Sequence, residues 1–108
     1  MRKQLINEDA FRSYLDRTIS SEKQVRDCIS RCRRVEESEG NLIKHYTNDR
    51  GRFLMERLTY SKEDADRELE PKHHITFKGT KGYHSILVGT ASLRNAVQHY
   101  FYFLREHG

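Results

Sequence analysis

Long apolar runs are missing from this 108-residue chain, and no stretch approaches the roughly 20 residues that a membrane-spanning helix needs. "MRKQLINEDA" at the start is basic but has no apolar segment behind it, so it does not resemble a signal peptide, and a cytoplasmic location is expected. Cysteine is scarce: Cys28 and Cys32 stand alone. Their spacing is wrong for a CxxC redox pair and no second ligand pair accompanies them, so the expectation is two small buried apolar residues without a disulfide framework. Proline occurs once, at Pro71, and there is no internal repeat, low-complexity tract or linker. The length suits a single domain, 1–108, with a thin core, because hydrophobic residues (35%) barely outnumber charged ones (33%).

Acid is missing from the last third. Residues 1–70 hold 15 Lys and Arg against 15 Asp and Glu, whereas residues 71–105 hold Lys72, Lys78, Lys81, Arg94 and Arg105 and no carboxylate. His73, His74, His84 and His99 fall in the same stretch and could add partial charge beside a polyanion. Such asymmetry points to nucleic acid or another acidic partner, the alternative being a solvated basic surface.

Several kinds of chemistry have no sequence support. "GTKG" at 79–82 lacks the order GxxxxGK[ST] of a nucleotide-binding loop, and no serine sits in a GxSxG elbow. Asp64, Asp66 and Glu68 lack the glycine and closing glutamate of a calcium loop and read as a solvated acidic helix. His73 and His74 are adjacent, point apart in extended chain and have no cysteine near them, so with His84 they read as surface histidines. No catalytic residue, metal or cofactor is expected.

The helical pattern is clear at both ends of the chain and weaker between them. A first helix is predicted from Glu8 to Arg17, with Asn7 able to cap it and Ala10, Phe11, Tyr14 and Leu15 as its buried stripe. A second opens at Ser21, with Gln24 completing a capping box, and ends at Gly40. Val25, Cys28, Ile29, Cys32 and Val35 share one arc of it, and Lys23, Arg26, Ser30, Arg33 and Arg34 the opposite one. The middle, "NLIKHYTNDRGRFLMERLTYS", reads as one kinked helix or two short ones, with Thr47 or Asn48 as a cap and Gly51 as the weak point. Ser61 and Asp64 form another capping-box candidate, and Pro71 ends that segment. Residues 72–89 read as a long ordered connection, with a short β-like pattern at Ile75 and Phe77 that could make a hairpin. The last helix is predicted to start at Thr90 or Ser92 and run to about Glu106, with Leu93, Val97, Tyr100, Phe101 and Leu104 inward and Ala96 and Phe103 beside them. The fold class expected is all-α, a compact bundle of four to five helices.

Within the 72–84 connection, backbone amides with Lys72, Lys78, Thr80, Lys81, Tyr83 and His84 can meet a phosphate chain, and the start of the last helix adds its positive dipole end. The order "FRSYL", "SSEKQVRDCISRCRRVE", a variable middle and "GTASLRNAVQHYFYFL" resembles the SAM-like N-terminal, or core-binding, domain of phage integrases and tyrosine recombinases. The resemblance covers about residues 8–106. It implies a helical bundle that packs on duplex DNA in site-specific recombination or DNA integration, while a separate C-terminal domain carries catalysis. Lys23, Arg26, Arg33 and Arg34, with Thr90, Ser92 and Arg94, would then face the DNA. Two features depart from that family: "EPKHHITFKGTKGYHSILVG" is longer than its usual link, and the catalytic arginines, histidine and tyrosine have no counterpart. The expectation is therefore a non-catalytic, duplex-binding N-terminal part of a longer protein. The alternative is a protein-interaction module that docks an acidic partner or a downstream domain through "YHSILVG".

Overall fold

The computed structural model describes residues 5–73, 75 and 82–107, and among these it holds six helices and no strand. They are α1 (Glu8–Thr18), α2 (Glu22–Glu39), α3 (Leu42–Asp49), α4 (Arg52–Arg57), α5 (Lys62–Asp66) and α6 (Tyr83–His107). The all-α class follows the sequence pattern; the helix number exceeds the four or five expected because the middle of the chain divides.

Local chemistry sets most of the boundaries. Asn7 sits at φ 60° and makes no side-chain cap. Instead Glu8 folds back, its Oε1 accepting the Leu5 amide at 3.2 Å. Ser21 opens α2 by accepting the Gln24 amide at 3.4 Å, which is half of the capping box expected, with no return bond from the Gln24 side chain among the described residues, and Gly40, at φ 95°, ends the helix as the sequence predicts. Between α3 and α4 the chain reverses through Arg50 and Gly51, both left-handed. Thr47 and Asn48, expected as caps there, lie inside α3. Asp49 takes their place, its carboxylate accepting the amides of Gly51 at 3.0 Å and Phe53 at 2.9 Å. Ser61 and Asp64 form the expected reciprocal capping box at the start of α5. That helix stops at Asp66, well before Pro71, and Glu68 follows at φ 54°.

The largest difference from the sequence pattern lies at α6. It begins at Tyr83, directly after Gly82 at φ 80°, so "SILVG" is helical and not part of the connection expected over residues 72–89. The hydroxyls expected to cap a start at 90–92 are satisfied within the fold: Thr90 meets His73, and Ser92 Oγ donates back to the Val88 carbonyl at 3.2 Å. Gly89 is carried inside the helix, a penalty of about 1 kcal/mol relative to alanine, and α5 packs against this segment in partial compensation. The hairpin expected around Ile75 and Phe77 lies largely outside the described residues.

Helix α6 is the common packing surface for α1, α2, α3 and α5. Against α2 the approach is close enough for Cys28 and Cys32 Sγ to donate to the Ala96 carbonyl at 3.8 and 3.3 Å. Both cysteines are free and buried, as the arc of α2 predicts. At the α1 side, Phe11 meets Tyr100 edge-on at 4.9 Å and Phe103 at 5.4 Å. Tyr100 is fully buried, and its hydroxyl donates to the Ile6 carbonyl at 2.8 Å. Val25, Ile29, Val35, Leu93 and Val97 close the core between α2 and α6, each contributing about 1.5–3 kcal/mol by burial. Ala10, predicted inward on α1, is exposed, and Leu5 fills the core in its place.

Candidate nucleic-acid interface

On α2, Arg26 is exposed and Arg34 is half-buried. Lys23 is exposed and ion-paired to Asp27 one turn on, at 3.3 Å. Arg33 is withdrawn from the expected surface: it crosses to α1 and grips Glu8 with both ends of its guanidinium, at 2.8 and 2.5 Å. Burial works to raise the Glu8 carboxyl, but the hydrogen bonds from Arg33 and Leu5 together with the Arg33 charge outweigh it and hold the group below its ordinary value.

At the start of α6 the expected phosphate contacts are divided. Lys78, Thr80 and Lys81 lie outside the described residues. Thr90 is fully buried and cannot meet a ligand; its Oγ1 lies 2.8 Å from His73 Nε2. Nδ1 of the same histidine accepts the Ile75 amide at 3.1 Å, which leaves Nε2 as the protonated nitrogen that donates to Thr90. His73 is therefore a buried pin between the 72–75 segment and α6, and not the surface histidine expected.

Tyr83 and His84 face acid. Together with Asp66, Glu68 and Lys62 they line a surface recess between α5 and α6. Glu70 first, then burial and Glu68, push the Tyr83 phenol above its ordinary value, and its hydroxyl reaches Glu70 Oε1 at 3.5 Å. That corner repels phosphate. Lys72 is exposed nearby, within reach of Asp64. Ser92 is half-buried, and Arg94 stands exposed on α6.

Further along α6 the surface changes. Ala91, Asn95, Gln98 and Tyr102 recur at intervals of four and three along its outward face, flanked by Arg94 and Arg105, and no carboxylate occurs from Tyr83 to Arg105. The C-terminal half of this face borders a groove of about 580 Å³ between α3 and α6. Met55 and Phe101 lie at its base, Tyr46 and Arg50 on the α3 side, and Gln98, Tyr102 and Arg105 on the α6 side. Arg50 lies over the Tyr46 ring at 5.3 Å and Arg105 over Tyr102 at 5.4 Å. Tyr46 in turn packs against Phe101, centroids 5.6 Å apart.

Sequence reasoning missed this groove. Its local signals, Tyr46 with Arg50 and Tyr102 with Arg105 at one-turn spacing, are present, but they lie more than fifty residues apart and only the packing of α3 on α6 joins them. Comparison of the chain with protein-family models, with curated proteins and with solved structures finds no match.

Proposed function

We propose that this bundle binds duplex DNA through the phosphate backbone and serves as a non-catalytic, DNA-gripping part of a recombination or integration protein, in the manner of the core-binding domains it resembles. The single observation that supports the reading best is the outward face of α6 from Ala91 to Arg105, which carries no carboxylate and can lie along a polyanion while Arg94 neutralises a phosphate. Arg26 on α2 is a further exposed cation, whereas Lys72 lies beside the acidic corner. Arg33, Thr90, Tyr83 and His84 are left out of the proposed surface for the reasons given above.

The test is a fluorescence-anisotropy titration of a labelled random 20-base-pair duplex at low and moderate salt. Saturable binding that weakens steeply with salt, and an Arg94→Glu chain that binds all sequences more weakly, are the expected results. Absence of binding at low salt sinks the reading. One observation favours the interaction module: Val88 and Leu69, on α6 and just after α5, expose 54% and 41% of their surface. An apolar docking surface of that kind tolerates salt, so the same titration separates the two.

A further inference from the structure

We infer that the groove between α3 and the C-terminal half of α6 holds one unpaired nucleotide of a nucleic-acid strand, its base against the aromatic wall and its phosphate between Arg50 and Arg105. The inference rests on the nucleic-acid reading above and extends it along the same helix. Three features of the groove converge on this chemistry.

Its charge is one-signed. No carboxylate lines it, and neither arginine is ion-paired among the described residues. Arg50 spends one donor on the Tyr46 hydroxyl at 3.1 Å, which leaves most of its fork free for a phosphate. Its walls are aromatic: Tyr46 and Phe101 pack together while Tyr102 is 42% exposed, and the Arg105 guanidinium over the Tyr102 ring is a side chain that a planar base can displace or stack beside. Gln98 adds an amide that donates to the Tyr102 hydroxyl at 2.9 Å and can exchange that bond for the edge of a base. A volume of about 580 Å³ falls within the ~300–1,000 Å³ of ordinary ligand pockets. Duplex DNA can offer its phosphates to the arginines but keeps its bases stacked and leaves the aromatic walls unused, so the occupant is a nucleotide from a single-stranded end, gap or opened site. An acidic peptide satisfies the arginines but leaves the stacking surface unused.

The test titrates the full 108-residue chain with a labelled ten-nucleotide single strand and, in parallel, with the duplex. Tyr102→Leu is expected to weaken single-strand binding roughly tenfold and duplex binding by less, with Tyr102→Phe restoring it. Arg105→Glu is expected to act in the same direction, and it carries the test if Tyr102→Leu lowers the melting temperature. Duplex binding without single-strand binding overturns the groove and spares the duplex reading. Loss of both overturns both. Single-strand binding indifferent to Tyr102 and Arg105, or displacement of the strand by a phosphotyrosine peptide at lower concentration than by a mononucleotide, also overturns the groove.

Discussion

Two carboxylates, Glu8 and Glu39, are held inside the fold by arginines from other elements. Glu39 is gripped by Arg57, with one contact at 3.2 Å and a shorter one through Nε, and burial's upward pull on its carboxyl is outweighed by that partner. Removing one member of such a pair leaves a buried charge alone, so Arg33→Met is expected to destabilise the chain by about 2–3 kcal/mol at neutral pH, measured by urea unfolding. Both carboxyls sit below their ordinary value of 4.5 in the folded state. Their contribution is therefore complete above about 4.5 and declines as pH falls through the lower folded values. Urea midpoints should drop between neutral pH and about pH 3, and the Arg33→Met deficit should shrink over the same interval because its unpaired Glu8 becomes protonated. A deficit that stays constant with pH would contradict the pairing. At another buried polar contact, Thr90→Val removes the hydroxyl that His73 Nε2 faces. A loss of about 1–3 kcal/mol is expected, again by urea unfolding, since the imidazole keeps its burial and loses a partner.

The elements are joined with little slack, and the α3–α4 junction is the tightest point. A Cβ on Gly51 would stand 2.1 Å from Phe101 Cε2, at a φ of 79° that side chains disfavour. Gly51→Ala should therefore lower stability by at least about 2 kcal/mol, whereas Gly40→Ala, with His45 Nε2 at 3.9 Å as its nearest neighbour, meets only the backbone penalty of about 1 kcal/mol. Thermal melts of the two variants give the comparison, and equal losses would refute the role assigned to Phe101. Legibility in the sequence followed the same lines. The α2 boundaries and the α5 capping box could be read because each rests on a side chain within three or four residues. The α6 start could not, because His73, 17 residues away, takes up the Thr90 hydroxyl that would otherwise signal a cap. Asp49 was likewise hidden behind Thr47 and Asn48, which carry the same capping signal one and two residues earlier.

Across the whole molecule, the uneven charge has a quantitative consequence. With about two phosphate contacts from Arg94 and Arg26, duplex affinity should fall roughly 12-fold when monovalent salt rises from about 50 to about 200 mM. Arg94→Glu should flatten that slope by about one contact, read from anisotropy titrations across a salt series; an unchanged slope would remove Arg94 from the surface. Lys78→Glu with Lys81→Glu should weaken duplex binding across all sequences alike, and unaltered affinity would exclude the 76–81 segment from contact.

Helix type, the inward stripes of α2 and α6 and the burial of both cysteines were determined by the sequence itself, because a period of 3.6 and a local cap are properties of neighbouring residues. Which cations remain free was decided only in three dimensions. Arg33 and Arg26 lie on the same arc of α2, yet one is consumed by Glu8 of α1 and the other stays in water, since an ion pair depends on what the next element brings within about 4 Å. The groove has the same origin: Tyr46 and Tyr102 come to line one groove only when α3 folds onto α6, a contact that no local pattern encodes.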